Sequence, residues 1–443
     1  MRARHVIFEP KKKVPVISSV DVVVCGGGPS GFIAAIASAR NGAKTMLIER
    51  YGFLGGMATA GGVGPISKFN LNGRRIVKGI PEEFINRMAG QHGAITDLPS
   101  GNVPFNTEMY KLLSINMVRE AGVNILLHSL CVGCIYNQEK PGKITHILVE
   151  NKSGRQAIAS KYIIDCTGTG DVISQTKLPW KLRTGKDGEL QSMTLEFRLG
   201  GVDTESLQVL MAEDKTRYFN QSLRKFLQGE VNKGNLDAFG GPWVIHSTTI
   251  REGEVGVNAT RFAGNPTNAL SLTEAEMHLR EDVMKVIDVF KKKAPQFKNC
   301  YLIDTATQVG IRESRAIEGL YTMRQEDVVL PKNFSDTIAK GGHPIDIHLS
   351  SINSGQYVHF ITHPYNIPYR SLVPKGSENV LVGGGTISAS REAFATIRVQ
   401  AQCMALGQAA GTAAALCAKD EIPVENLDGP ELRKLLSEQG AIV

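Results

Sequence analysis

The chain has 443 residues, 42% hydrophobic and 21% charged, the proportions of a globular protein long enough for two cores. Its formal charge of +7 does not point to nucleic acid: the dense basic runs, Lys11 to Lys13 and Lys291 to Lys293, lack interleaved aromatics and read as solvated faces. No apolar run reaches the roughly 18 residues of a membrane span. Seven cysteines, an odd number, suit a reducing compartment, and the basic N-terminus lacks a signal-like apolar segment, so the expected location is the cytoplasm.

Val22 to Cys25 is an apolar run suited to a buried parallel strand, and Gly26, Gly28 and Gly31 follow it with G-x-G-x-x-G spacing. A helix opening at Pro29 and Ser30 is predicted next, with small residues at Gly31, Ala34, Ala35 and Ser38 and a stop at Asn41-Gly42. A second strand, Thr45 to Ile48, then ends at Glu49. In such a unit the helix N-terminus receives a pyrophosphate and the acid accepts hydrogen bonds from a ribose. A nicotinamide enzyme would usually run on into another helix. Here "RYGFLGGMATAGG" follows instead, and Val22 to Gly62 holds ten of the 46 glycines, so the segment reads as a loop folding back.

With that loop the chain resembles flavin oxidoreductases of the glutathione-reductase type, and more closely the bacterial FAD-dependent oxidoreductases that carry L-G-G-M-A-T-x-G after the acid. "IIDCTGTGDV", "TATQVGIRESRAIEG", "IPYRSLVPKG", "NVLVGGGTISASREA" and "RVQAQCMALGQAAGTAAA" extend the likeness over nearly the full length. The chain more distantly resembles the flavin subunits of heterodisulfide reductase and succinate dehydrogenase/fumarate reductase. The resemblance implies noncovalent FAD, because the glycine loop lacks the histidine that attaches flavin in some relatives. It implies cofactor contacts at Arg50, Gly55, Gly56 and Met57, at Val132 beside the adenine, at Thr167 and Gly168, and at Gly384 and Gly385, where many relatives carry an acid. It also places Arg398, Val399 and Gln400 at the ring's pyrimidine edge, where a helix N-terminus and a fixed cation favour an anionic reduced flavin.

The flavin motifs lie at both ends of the chain. The expected fold class is therefore α/β, with a discontinuous Rossmann-type FAD-binding domain in residues 1–190 and 371–443. Residues 191–370 would form a mixed-sheet α+β capping domain that holds the substrate at the seam. Within it "QSMTLEFRLGGVD" and "WVIHSTTIREGEVGVNATRFAG" alternate like strands, and Thr273 to Pro295 reads as an amphipathic helix with a threonine start and a proline stop.

Oxidising a C–H bond on a flavin calls for a base for the paired O–H or N–H proton and cations for any carboxylate or oxyanion. Candidates cluster in the C-terminal half, among them Asp346, His359, Tyr365 and Tyr369. Arg370 and Arg391, which flank the return into the cofactor domain, are the favoured substrate contacts, with His348 and His363 as candidate bases. Arg312, Glu313 and Arg315 read as ion pairs bracing the seam. No metal site is expected, since Cys131 and Cys134 sit on opposite faces of an apparent strand and the other cysteines are scattered. Without a second G-x-G-x-x-G, reduction by NADH or NADPH should be slow. The expected function is oxidation or reduction of a small polar metabolite, with electrons leaving to an external acceptor or oxygen. The alternative is a flavin-binding electron-transfer subunit with no substrate of its own.

Overall fold

Val22 to Cys25 are fully buried, as a continuous apolar run must be when helices cover both faces of a sheet. They end strand β1 (Val16–Cys25) in a computed structural model that describes residues 7, 9–140, 142–207, 221–236, 243–245, 249–330, 332–349 and 356–443. Helix α1 (Pro29–Arg40) follows, then β2 (Thr45–Ile48), α2 (Ile80–Gly90), α3 (Thr107–Glu120), β3 (Asn124–Leu126), β4 (Leu130–Tyr136), β5 (Ile144–Asn151) and β6 (Gly154–Asp165). Strands β3, β2, β1 and β6 pair in that order, all in parallel. The first half of β6 carries the antiparallel hairpin β4–β5, and its last three residues pair in parallel with a strand from near the C-terminus.

The second layer has its own core, running from Met193 to Val309. Strands β7 (Phe197–Gly200), β8 (Trp243–Ile245), β9 (Val255–Asn258) and β10 (Tyr301–Thr305) form a sheet in the order β8-β9-β7-β10. Helix α4 (Ala269–Lys293) buries Leu279, Val283, Val286, Ile287 and Phe290 against it, one face at helical spacing. Asn268 starts this helix, its side chain accepting hydrogen bonds from the N–H groups of Leu270 and Ser271, so the expected start at Thr273 lies four residues too late. Ala294 ends it before Pro295.

Two expectations about this layer change. The described pairs of its sheet are all antiparallel rather than mixed. Its core also stops near Val309, not at residue 370, because Ile317, Met323, Ile338, Ile347 and Ile367 pack into the first core. Residues 246–248 of the alternating stretch lie outside the described residues, as does Ser350.

The chain returns through β11 (Ile345–His348) and β12 (Gln356–His359), an antiparallel pair, then β13 (Val380–Val382), which adds to β6. Helices α5 (Arg391–Ile397), α6 (Gln400–Asp420) and α7 (Gly429–Glu438) close the fold. Helix α6 lies on α1 backbone to backbone: a Cβ at Gly407 would stand 2.1 Å from Ser30 O, and one at Gly411 2.1 Å from Ala34 O. Its small residues therefore serve packing, which brings the first turns of α1 and α6 to the same side of the sheet. Among the described residues no helix is long and apolar enough to cross a membrane.

Candidate active site

A cavity of about 360 Å³ runs from the glycine loop after β1 to the seam with the capping sheet. At its outer end Glu49, nearly fully buried, ties the loop together: Oε2 accepts the Gly27 N–H at 2.6 Å and Oε1 accepts the Tyr51 N–H at 3.0 Å. The fingerprint glycines divide by role. A Cβ at Gly26 would stand 2.4 Å from Cys166 O, and one at Gly31 1.8 Å from Gly26 O, so both glycines are demanded by the protein's own packing. A Cβ at Gly28 would meet only Gly56 Cα at 3.8 Å and would project into the cavity instead. Gly28 also caps α1 without a side chain, leaving the first N–H groups open to an anion.

Pro29, Ser30, Arg50, Gly56, Met57, Thr167 and Gly168 line the same wall. The Thr167-Gly168 turn is held by buried Asp165, whose Oδ1 accepts the Thr167 N–H and Oγ–H while Oδ2 accepts the Ile173 N–H. Farther in stand Gly384, Gly385, Arg398, Val399 and Gln400. Val399 begins α6 with no side-chain cap, and Gln400 donates from Nε2 to Val63 O at 2.6 Å while its buried Oε1 has no partner. The loop under them is pinned by Arg183, whose guanidinium donates to the carbonyls of Gly385, Ile387 and Ala389 and stacks 3.6 Å over the Phe394 ring. Burial pulls the Arg183 pKa down to about 9.

The inner end is lined by His348, Asp346, His343, Arg312, Glu196 and Asn258. His348 and Asp346 alternate along β11, so both side chains share one face, and His348 Nε2 lies 3.1 Å from Asp346 Oδ2. Burial opposes ionisation of Asp346, but His348, Arg398 and Gln356 outweigh it and hold the carboxyl well below its usual range. Burial, with Arg312 and Arg261 adding to it, drives His348 down to about 3. The pair is thus an ionised carboxylate and a neutral imidazole. Because the carboxylate only accepts, Nε2 carries the proton and Nδ1 is a bare lone pair, buried and without a partner. Arg312 donates from Nη1 to Ser192 O and Thr194 Oγ1, and from Nη2 to Asn258 Oδ1. Burial pushes the nearby Glu196 up to about 8, with Arg312 and Arg261 pulling the other way, so it is protonated at neutral pH.

Several expected site residues stand elsewhere. Arg370 is off the cavity, with a half-exposed side chain paired to Asp336 at 2.9 Å. Arg391 is buried but braces the seam, pairing Nε with Glu313 at 3.1 Å and Nη1 with Glu189. His363 is half-buried outside the lining, its Nδ1 3.2 Å from Thr362 Oγ1. Val132 sits in the β4–β5 hairpin away from the cavity, Gly31 packs inward, and Gly55 packs on Thr59 and Tyr110. Of the trio read as braces, Glu313 and Arg315 form ion pairs, Arg315 with Asp171 at 3.2 Å, whereas Arg312 forms none among the described residues. Glu196, Asn258, His343 and Arg183 carried no signal beyond their residue types. Among the described residues no cluster of His, Cys, Asp and Glu could hold a metal ion.

An open cradle at Gly28, two helix N-termini without side-chain caps and an orphan acceptor on Gln400, all along one cavity, fit a flavin dinucleotide. The fold and site are those of an FAD-binding flavoprotein. Residues 21–436 match the model of the "FAD dependent oxidoreductase" family, so the chain belongs to that family. It is similar to dihydrolipoyl dehydrogenase 2, mitochondrial, of Arabidopsis thaliana, 28% identical over 49% of this chain and 45% of the relative. It is also similar to digeranylgeranylglycerophospholipid reductase of Methanocaldococcus jannaschii, 30% identical over 35% of this chain and 39% of the relative. The chain spans about half the length of the curated relatives it matches. Among solved structures, p-nitrophenol 4-monooxygenase of Pseudomonas putida shares the fold with a TM-score of 0.50 at 11% identity, covering 95% of this chain and 87% of that one.

Proposed function

We propose that the protein oxidises a small polar metabolite at a C–H centre bearing a hydroxyl or amine, at the inner end of this cavity, with electrons leaving to an external acceptor or oxygen. The observation that carries the reading is one cavity joining the glycine cradle to a buried lone pair, His348 Nδ1, that has no partner among the described residues. Bound FAD supplies an acceptor for the hydride of a substrate C–H bond. Gly28, Pro29 and Ser30 would hold its pyrophosphate, Glu49 its ribose, and Arg398, Val399 and Gln400 its ring.

The chain's own groups would handle the proton. His348 Nδ1 accepts a hydrogen bond from the substrate O–H or N–H and takes that proton as the carbonyl or imine forms, its basicity rising from a value of about 3 once bound substrate offsets the Arg312 charge that joins burial in holding it down. Asp346 keeps the imidazole in the productive tautomer and stabilises the imidazolium as it appears.

The test is anaerobic mixing of purified protein with hydroxylated and amino metabolites while following the visible flavin band. Bleaching by at least one of them, without a partner protein, is expected. Failure of the whole set, with bleaching only when a partner subunit is added, would instead support the electron-transfer reading.

A further inference from the structure

Arg312 is an unusual cation for a protein interior. It is 8% exposed and lines the inner end of the cavity, yet it forms no ion pair among the described residues. Its hydrogen bonds go to a carbonyl, a hydroxyl and an amide oxygen, using three of the five guanidinium donors and leaving two for a ligand. A buried charge without a counter-charge is costly to keep. Of the neighbouring charges, Arg398 faces Asp346 at 3.6 Å, Arg391 is paired with Glu313, Arg261 stands behind Asn258, off the cavity wall, and Glu196, which accepts from Asn258 Nδ2 at 3.1 Å, forms no salt bridge with Arg312 among the described residues. One positive charge is left over, close to one unsatisfied acceptor.

We infer that the inner end of the cavity is a monocarboxylate site: Arg312, positioned by Asn258 and Thr194, takes the carboxylate of a small organic acid whose adjacent hydroxyl or amino group donates to His348 Nδ1. This rests on the oxidoreductase reading and narrows its substrate to an α-hydroxy or α-amino acid class. A single leftover cation matches a single negative charge, and the Asp346 carboxylate beside His348 disfavours a dianion such as phosphate.

The probe is α-hydroxyisobutyrate, which carries the carboxylate and the hydroxyl but no C–H on the carbinol carbon, so it binds without being oxidised. Calorimetric titration of the FAD-loaded protein compares it with its amide and with inorganic phosphate. The acid should bind on the order of tenfold to a hundredfold tighter than either, the worth of a charge-assisted contact. Arg312→Gln should erase that preference while FAD stays bound. An amide or a phosphate that binds as tightly as the acid would overturn the inference. So would a full acid preference surviving in FAD-loaded Arg312→Gln, which would reassign the arginine to the flavin. Should glutamine cost the protein its FAD, Arg312→Lys decides the matter: it keeps the charge and loses the fork. A preference narrowed several-fold supports the site, and an unchanged one contradicts it.

The two readings fail separately. Flavin bleaching by a neutral alcohol or sugar, uncompeted by α-hydroxyisobutyrate, would uphold the oxidoreductase and overturn the carboxylate site. Acid-selective binding with no metabolite able to bleach the flavin would do the reverse.

Discussion

Glu49 accepts the backbone N–H of Gly27 at 2.6 Å, so the acid at the end of β2 fixes the glycine loop at the end of β1 before any ligand arrives. That bond sets the shape of the cradle in which Gly28 is the one fingerprint glycine with room for a side chain.

Gly28→Val should therefore fold but purify colourless. The backbone at Gly28 is ordinary extended chain, φ −68° and ψ −175°, which valine tolerates, so the cost falls on the cofactor. Far-UV circular dichroism should match that of wild type stripped of FAD, and FAD affinity should fall at least a hundredfold, roughly 3 kcal/mol. A yellow valine variant would remove the pyrophosphate from this loop.

Gly411→Ala tests packing alone. Its Cβ would overlap the Ala34 carbonyl on α1, and overpacking of this kind costs about 1–3 kcal/mol. A lower melting temperature is expected, with the spectrum of the folded fraction unchanged.

The two arginines favoured from sequence should both behave as structural residues, to different degrees. Arg370→Ala removes the half-exposed partner of the buried Asp336 carboxylate, which keeps the Arg370 backbone N–H, and should cost about 1–3 kcal/mol without altering flavin reduction. Arg391→Ala leaves Glu313, 1% exposed, without its counter-charge, and should cost about 3–5 kcal/mol in a thermal or denaturant melt.

Glu196 gives a pH signature. Its folded pKa of about 8 stands above the ordinary carboxyl value of 4.5, so between those two the unfolded chain releases a proton that the folded chain keeps. Its contribution to stability is present below the lower value and is lost progressively as pH rises toward about 8, a slope that Glu196→Gln should flatten. Once ionised, Glu196 faces Arg312 and Arg261 and hydrogen-bonds Asn258, at 3.1 Å, so it competes for the free cation. Carboxylate binding should weaken above pH about 8 in wild type and not in Glu196→Gln. Equal weakening in both would discount this coupling.

The cofactor half was legible because its determinants are local: glycine spacing, a following acid and strand-like apolar runs are all read within thirty or so positions. Asp346 and His348 were legible as a pair for the same reason, two positions apart on one strand face. Ion-pair partners are a different matter. Asp336, which claims Arg370, is 34 residues distant, and Glu189, which claims Arg391, is 202. No spacing rule reaches that far, so nothing in the sequence separated those paired arginines from Arg312, which has no ion pair among the described residues. Glu196 stands just before β7 and Asn258 at the end of β9, and the antiparallel register of those two strands, Phe197 opposite Val257, brings them together.

If His348 accepts the substrate proton beside bound FAD, losing its imidazole should slow flavin reduction and leave the cofactor in place. The most direct test is anaerobic stopped-flow reduction of the flavin by the best substrate, in wild type and in His348→Asn. The account predicts that the asparagine variant keeps FAD and its visible spectrum while the limiting reduction rate falls about 10²–10⁴-fold, the usual worth of a positioned base. An asparagine variant that binds FAD and reduces it at the wild-type rate would contradict it.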